Sequence, residues 1–221
     1  MVKAVIFDMD GTALDSMGHS VSNRVNYLKT LGVELSKDEI KQLAKVGWSD
    51  TADWVNSIRD TNFVKKAFLD GILETHYGAY KESYKLVPGF INFLDYLDEK
   101  NIKYAIATAT RLYGAVDVFE RFNLMDRIEF IITEGRVGVT KDYPDIYLEA
   151  ARRMGSDPSN TVVFEDALYA IKTANKAGFT TVAVKEDRFK RDEKEIEKIS
   201  DYVIEDFNEL LDDIKNEKIQ F

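Results

Sequence analysis

The sequence predicts an α/β protein with a doubly wound, Rossmann-like parallel sheet and an inserted all-α helical cap domain. Short apolar runs rich in β-branched residues alternate with segments of helical periodicity over most of the 221 residues. After the first apolar run, this alternation gives way to a long stretch with helical patterns and no strand signal. Alternating strands and helices form parallel sheets with right-handed crossovers, so the interruption marks an insertion.

The strands predicted for the core are short runs rich in β-branched residues. They cover, in chain order, residues 3–7, 103–107, 128–133, 161–164, 180–184 and 202–204. Between them, apolar residues such as Phe90, Leu94 and Leu97 recur at helical spacing. Gly155 and Gly178 occupy positions where a left-handed C-terminal cap of a helix is expected.

The inserted domain is predicted at residues 15–87 and the catalytic core domain at residues 1–14 and 88–221. Four helices are predicted for the insert. The first begins near Val21, and the second begins at the capping box of Ser36 and Glu39. The third and fourth are predicted at residues 51–58 and 63–84. Pro88 and Gly89 mark the return of the chain to the sheet.

Composition narrows the possible partners. The formal net charge of −9 argues against non-specific binding to nucleic acid. No stretch approaches the ~18 uncharged apolar residues of a membrane span, and the first residues lack the pattern of a signal peptide. We therefore expect a soluble, cytoplasmic protein that binds neither nucleic acid nor a membrane. The oligomeric state stays open, and a monomer is compatible with the sequence.

The first predicted strand ends in two carboxylates, within Asp8-Met9-Asp10-Gly11-Thr12. Ligands of parallel sheets bind at the carboxyl ends of the strands. Two carboxylates this close repel each other unless a cation or a shared proton relieves them, and Mg²⁺ prefers such oxygen ligands. Gly11 lets the backbone turn close to a ligand and frees N–H groups for anionic oxygens. The alternative is a turn with two solvated aspartates.

Three further strand ends carry polar side chains. The second strand is followed by Thr108, whose hydroxyl can donate to an anionic oxygen or can cap a helix. Lys141 follows the third strand and supplies a charge suited to phosphate, although by itself it also fits an exposed loop. The fourth strand ends in Glu165 and Asp166, which repeat the paired carboxylates of the first strand.

Taken in this order, the four strand ends resemble the haloacid dehalogenase-like superfamily. The resemblance is to its phosphatase and phosphomutase branch with a helical cap, which includes β-phosphoglucomutase and phosphoglycolate phosphatase. The first strand end matches the pattern D-x-D-G-T in full, and Thr108 matches the second motif. The third and fourth motifs, K-x-x-P-D and E-D, are matched by Lys141, Pro144, Asp145, Glu165 and Asp166. After Lys141 the family usually has proline, and here Asp142 follows.

The resemblance implies a role for each matched residue. Asp8 would be the nucleophile that becomes an aspartyl-phosphate, and Asp10 the general acid and then the general base. Candidate phosphate-binding residues are Gly11, Thr108, Ala109 and Lys141. Candidate ligands of Mg²⁺, the implied cofactor, are Asp8, the main-chain carbonyl of Asp10, Asp166, and Glu165 either directly or through water.

The resemblance further implies a phosphatase that hydrolyses a small phosphorylated metabolite chosen by the cap. Candidate substrate contacts are Ser16, His19 and Trp48, although Trp48 also fits the core of the cap. Members similar to β-phosphoglucomutase need a histidine where this chain has Ser20, and a basic residue in the loop that here contains Trp48. Their absence favours a monophosphate with a neutral or apolar leaving portion. A phosphomutase, or a module that uses Asp8 as a stable phospho-acceptor switch, stays an alternative.

Overall fold

A parallel sheet lies at the centre of the larger of two compact units in the computed structural model, which describes residues 2–186 and 192–219. The core unit consists of the residues up to Met17 and from Tyr84 onward, and the helical unit is Gly18–Ser83. The strands are β1 (Ala4–Phe7), β2 (Leu14–Asp15), β3 (Lys85–Leu86), β4 (Lys103–Thr108), β5 (Ile131–Thr133), β6 (Thr161–Glu165), β7 (Thr180–Val184) and β8 (Tyr202–Ile204).

The order of strands in the main sheet places β1 at a reversal point. Within the described residues the order is β5-β4-β1-β6-β7-β8, and each neighbouring pair is parallel. From β1 the chain builds outward through β4 and β5 on one side, and then through β6, β7 and β8 on the other. Crevices at such reversal points, outside the carboxyl ends of the strands, are where sheets of this kind bind ligands. The predicted doubly wound sheet is confirmed.

Helices cover both faces of the main sheet. The helices are α1 (Ser20–Thr30), α2 (Lys37–Leu43), α3 (Thr51–Ile58), α4 (Lys65–Glu82), α5 (Phe90–Glu99), α6 (Leu112–Arg121), α7 (Glu134–Val137), α8 (Asp145–Met154), α9 (Leu168–Lys176), α10 (Glu193–Ile199) and α11 (Phe207–Lys215). Within the described residues, no helix combines the length and the apolar character that crossing a membrane requires.

The central strand β1 is buried on both faces. On one face, the ring of Phe7 packs with its centroid 5.1 Å from that of Phe90 and 5.9 Å from that of Phe207, on α5 and α11. On the other face, Ile6 belongs to a cluster that includes Ile146 of α8. Burial on both faces explains why β1 is a continuous apolar run without alternating polar residues.

The helical unit contains α1 to α4 and has its own apolar core. Its buried core residues are Leu28, Val33, Leu43, Ala52, Val55, Phe68 and Ile72. The predicted capping box at the start of α2 is confirmed, because Glu39 N donates to Ser36 Oγ at 3.3 Å and Ser36 N donates to Glu39 Oε2 at 2.7 Å. Helix α4 covers Lys65–Glu82, slightly less than the predicted 63–84.

The prediction that no strand occurs between the first strand and Val87 was wrong. Strands β2 and β3 pair antiparallel, with Leu14 opposite Leu86 and Asp15 opposite Lys85. Each has two residues, which is too short to produce an alternating pattern in the sequence. Their pairing depends on the chain leaving and re-entering the core unit at adjacent places, which is a property of the fold.

Two other predicted boundaries shifted. The strand predicted at 128–133 begins only at Ile131, because Ile128 N donates to Leu124 O in a turn. Strands β4 and β6 each extend one residue beyond the prediction, to Thr108 and Glu165. Residues 1, 187–191, 220 and 221 of the predicted core domain lie outside the described residues.

Candidate active site

The polar residues at the ends of β1, β4 and β6 lie together at one edge of the main sheet. In the register of β1 and β6, Phe7 lies opposite Phe164, and Asp8 N donates to Phe164 O at 2.9 Å. The residues that follow in each strand, Asp8 and Glu165, are therefore neighbours. A cavity of about 160 Å³ opens at this edge, and its lining residues are Asp8, Asp10, Met17, Thr108, Ala109, Lys141, Glu165, Asp166, Ala167 and Tyr169.

Three carboxylates crowd this edge. Asp8, Glu165 and Asp166 each present an oxygen within 4.8 Å of the others, and their residues are only 6%, 1% and 4% exposed. Burial, with the charge of Glu165 adding to it and Lys141 opposing it, raises the pKa of Asp8 to about 8. Burial and the charges of Asp8 and Glu165 raise the pKa of Asp166 well above its usual value. Without a compensating cation, this arrangement is costly.

Lys141 supplies one positive charge to this group. Its ammonium Nζ donates to Asp8 Oδ1 and, at 2.5 Å, to Glu165 Oε1. Burial by itself would lower the pKa of Lys141, but the charges of Asp8 and Glu165 outweigh it and raise that pKa, so the ammonium stays charged. Glu134 orients the backbone here, because its Oε1 accepts from Lys141 N at 2.7 Å. At 2% exposure Lys141 is not the exposed loop lysine that was the alternative.

Both carboxylate oxygens of Glu165 accept hydrogen bonds. Oε1 accepts from Lys141 and, at 2.8 Å, from the hydroxyl of Tyr147. Oε2 accepts from the main-chain N–H groups of Asp166 at 3.2 Å and Ala167 at 3.5 Å. Burial and the charge of Glu165 raise the pKa of Tyr147 well above its usual value, so the hydroxyl stays protonated and donates. Tyr147 was missed as a candidate from the sequence, and its hydroxyl was the overlooked signal, because buried tyrosine hydroxyls need a partner.

The carboxylate of Asp10 is positioned by two hydroxyl groups. Ser16 Oγ donates to Asp10 Oδ1 at 2.6 Å, and Thr110 Oγ1 donates to Asp10 Oδ2 at 2.7 Å. Ser16 was expected to contact substrate, but it is 1% exposed and its hydroxyl is directed at Asp10. Thr110 was missed as a candidate, and its place two residues after Thr108 at the end of a strand was the available clue. Thr108 Oγ1 accepts from Thr110 N at 3.0 Å.

Gly11 permits close approach of the backbone to Asp166. Its φ of +88° lies in the left-handed region, and a Cβ at this position would lie 2.3 Å from Asp166 Oδ2. The N–H of Gly11 donates to Leu14 O at 2.8 Å. The expectation that this N–H is free for a phosphate therefore needs correction, because the turn after β1 uses it. The contribution of Gly11 here is steric.

The donor set at this edge fits a hard divalent cation. Asp166 Oδ2 is buried, and among the described residues it has no hydrogen-bond partner. Isolated carboxylate oxygens in the interior are unfavourable unless a cation or a proton compensates them. The oxygens of Asp8 and Asp166 are near each other and are of the type that Mg²⁺ prefers. The residues present are thus suited to the predicted Mg²⁺.

The other predicted substrate residues lie in the helical unit. Trp48 Nε1 donates to Ser20 Oγ at 2.8 Å. The indole packs edge to face against the ring of His76, with the ring centroids 5.1 Å apart. Trp48 also packs against the apolar core of that unit. His19 ends the 3₁₀ turn Met17–His19, and its carbonyl accepts from Ser22 Oγ at 2.9 Å. Contact with substrate stays a prediction for both His19 and Trp48.

Comparisons with known proteins identify a matching family and similar proteins. A family model for haloacid dehalogenase-like hydrolases matches residues 5–184. The chain is 28% identical to Protein SUPPRESSOR OF QUENCHING 1, chloroplastic, of Arabidopsis thaliana, over 83% of this chain and only 18% of that relative. It is 25% identical to the phosphorylated carbohydrates phosphatase of Thermotoga maritima, over 82% of this chain and 84% of that protein.

A solved structure has a similar fold. It is the crystal structure of a provisionally named beta-phosphoglucomutase from Thermotoga maritima, with a TM-score of 0.81 and 23% sequence identity. The match covers 97% of this chain and 99% of that structure, so the likeness extends over essentially the whole of both chains.

Proposed function

The chain belongs to the haloacid dehalogenase-like hydrolase family, and on this basis we propose that it is a Mg²⁺-dependent phosphatase. Its substrate would be a small phosphorylated metabolite, a phosphate monoester, hydrolysed through an aspartyl-phosphate intermediate. One observation carries the proposal. Asp8 lies buried beside the charged Lys141 and close to the carboxylate of Asp166. The Oδ2 of Asp166 is buried and has no hydrogen bond among the described residues.

Asp8 would act as the nucleophile. Its carboxylate oxygen would attack phosphorus, forming the O–P bond of an acyl phosphate while the bond from phosphorus to the leaving oxygen breaks. Lys141 contacts Asp8 Oδ1 and would orient the nucleophile while offsetting negative charge on the phosphoryl oxygens. Thr108 and Ala109 line the same cavity and would contact those oxygens.

Asp10 would transfer the protons of both half-reactions. In the first, its carboxyl group would give a proton to the leaving oxygen of the substrate. In the second, the resulting carboxylate would take a proton from a water molecule, whose oxygen attacks the acyl phosphate and regenerates Asp8. The hydroxyls of Ser16 and Thr110 support this role, because they direct the two oxygens of Asp10.

Asp8 and Asp166 would hold Mg²⁺ together with the main-chain carbonyl of Asp10. Bound there, the ion would supply positive charge that lets an anionic carboxylate approach an anionic phosphate. Glu165 is already the acceptor of four hydrogen bonds from Lys141, Tyr147 and two main-chain N–H groups. Those donors support a place for Glu165 beside the ion rather than among its direct ligands.

The helical unit would select the substrate. We assign this role to the predicted cap domain at 15–87, with His19 and Trp48 as candidate contacts, and we reassign Ser16 to the positioning of Asp10. The 25% identity to a phosphorylated carbohydrates phosphatase supports a small phosphorylated molecule as the substrate class. A cytoplasmic location stays a prediction from composition.

The test is a screen for Mg²⁺-dependent phosphate release over a broad panel of phosphorylated metabolites. We expect Asp8→Asn to abolish turnover while the far-UV circular dichroism spectrum stays that of the wild type. Asp15→Asn, at an exposed aspartate of β2, is the matched control and should retain activity. Appreciable Mg²⁺-dependent hydrolysis by the Asp8→Asn variant would refute the assignment of the nucleophile. Transfer of phosphate within a substrate, without its release, would indicate a phosphomutase instead.

A further inference from the structure

The hydroxyl of Tyr147 and the ammonium of Lys141 meet at one oxygen of Glu165. Tyr147 Oη donates to Glu165 Oε1 at 2.8 Å, and Lys141 Nζ donates to the same atom at 2.5 Å. We propose that Tyr147 is a positioning residue, which acts through Glu165 to keep Lys141 directed at the nucleophile Asp8. This inference rests on the proposed phosphatase function, because it assigns a further residue to the same reaction.

The carboxylate of Glu165 has its orientation set from both sides. The main-chain N–H groups of Asp166 and Ala167 contact Oε2, at 3.2 and 3.5 Å, while Lys141 and Tyr147 contact Oε1. Glu165 is 1% exposed and Tyr147 is fully buried, so water cannot replace a lost donor without entering the interior. Rotation of the carboxylate would therefore leave several buried polar groups without partners, which is unfavourable.

Lys141 is shared between two carboxylates, and Tyr147 affects how it is shared. Its ammonium contacts Asp8 Oδ1 and Glu165 Oε1, both of them buried. A hydroxyl hydrogen bond to Oε1 partly satisfies that oxygen, so Glu165 attracts the ammonium less strongly. Without the hydroxyl, Lys141 would become the sole side-chain donor that the described residues direct to Oε1. The ammonium would then shift toward Glu165 and away from Asp8.

The phenol oxygen can be removed without disturbing the packing of the ring. The ring of Tyr147 lies in the apolar cluster between α8 and the sheet. It packs edge to face against Phe179, with the ring centroids 6.2 Å apart. Phenylalanine fills the same space, so Tyr147→Phe deletes one donor and little else. The core unit also offers a matched control, because the buried Tyr104 donates its hydroxyl to Asp98 Oδ1 at 2.9 Å. Neither Tyr104 nor Asp98 lines the cavity at the end of β1.

The first experiment compares steady-state kinetics of the wild type, Tyr147→Phe and Tyr104→Phe, with p-nitrophenyl phosphate and Mg²⁺. We expect Tyr147→Phe to lower kcat about five- to tenfold, less than the full effect of losing a hydrogen bond to a charged group, because the hydroxyl acts on Lys141 only through Glu165. KM should change less than about twofold, because the hydroxyl touches the network behind the nucleophile and not the substrate. Tyr104→Phe should leave both constants unchanged. An unchanged kcat in Tyr147→Phe, or an effect confined to KM, would overturn the proposal.

The second experiment asks whether Tyr147 acts through Glu165. In a Glu165→Gln background, Tyr147→Phe should change kcat less than about twofold, because the charged acceptor that it influences is gone. An equal loss of kcat in both backgrounds would contradict action through Glu165. The wild type, Tyr147→Phe, Glu165→Gln and the double variant are also compared by urea unfolding in EDTA, a measurement that needs no turnover. There, Tyr147→Phe should destabilise the wild type more than it destabilises Glu165→Gln.

The two proposals fail in different ways. If the wild type shows no Mg²⁺-dependent release of phosphate from any substrate of the panel, the phosphatase proposal fails. The unfolding comparison then judges the hydrogen bond from Tyr147 to Glu165 on its own. Equal destabilisation by Tyr147→Phe in both backgrounds would overturn the positioning role whether or not the enzyme turns over.

Discussion

Replacing Lys141 by methionine should destabilise the metal-free protein strongly. The side chain of Lys141 is 3% exposed and lies between Asp8 and Glu165, whose side chains are 8% and 2% exposed. Methionine has a similar length and no charge, so the change removes the cation and leaves the carboxylates in place. Carboxylate oxygens of Asp8, Glu165 and Asp166 lie within 4.8 Å of one another, and that repulsion is no longer compensated.

The size of the effect follows from this distance. Two unit charges at the upper limit of this separation, 4.8 Å, repel by about 3.5 kcal/mol at an effective dielectric constant of about 20, so this figure is a minimum. Removing one partner from a buried ion pair costs about 3–5 kcal/mol, which agrees with that figure. Because the pKa of Asp8 is already raised to about 8, its carboxyl group can take up a proton and relieve part of the repulsion. We therefore expect a loss near the lower end, about 3 kcal/mol.

The assay is urea unfolding followed by circular dichroism, with EDTA or with excess Mg²⁺. Lys141→Met should lose about 3 kcal/mol in EDTA and recover a substantial part in Mg²⁺, since the ion supplies the missing positive charge. Lys65→Met is the matched control, because Lys65 also bridges two carboxylates, at 2.9 Å from Asp50 and 3.2 Å from Asp53, but in solvent. It should change stability little under either condition. A Lys141→Met variant as stable as the wild type in EDTA, or equally destabilised with and without Mg²⁺, would refute the reasoning.

Two further predictions concern Gly11 and the pH dependence of stability. Gly11 and Gly138 share a φ of +88°, but a Cβ on Gly138 meets nothing within 4 Å. Gly138→Ala should lower the free energy of unfolding by about 1–2 kcal/mol through backbone strain. Gly11→Ala should lower it further, as measured by urea unfolding, and should abolish Mg²⁺-dependent turnover. Equal losses of stability in the two variants would contradict the steric role of Gly11. In EDTA, the raised pKa of Asp8 means that the native state binds a proton that the unfolded state releases. That stabilisation is complete below the usual pKa of 3.8 and is lost as pH rises through about 8. The unfolding free energy of the wild type should therefore fall more over this range than that of Asp8→Asn, and parallel curves would argue against a raised pKa.

The apolar runs and the residues at their ends were sufficient to predict the core of this protein. Strands β1, β4, β6 and β7 are short, largely apolar segments buried on both faces of a sheet, so their composition identifies them without reference to other parts of the chain. Parallel strands bring their carboxyl ends to one edge, and this rule predicted that Asp8, Thr108 and Glu165 lie together. The capping box of Ser36 and Glu39 is likewise a local pattern.

Contacts between distant parts of the chain were decided only by the tertiary structure. Thr110 donates to Asp10 across a hundred positions, and Tyr147 of helix α8 reaches Glu165 at the end of strand β6. Strands β2 and β3 have two residues each and pair although the residues of the whole helical unit separate them in the sequence. A local pattern records which face of an element is apolar, but it contains no information about which distant hydroxyl meets which carboxylate. That choice depends on how the elements pack. For this reason local patterns in the sequence were enough to predict the sheet and its charged edge, whereas the orientations of Asp10, Glu165 and Lys141 depend on the packing of the folded chain.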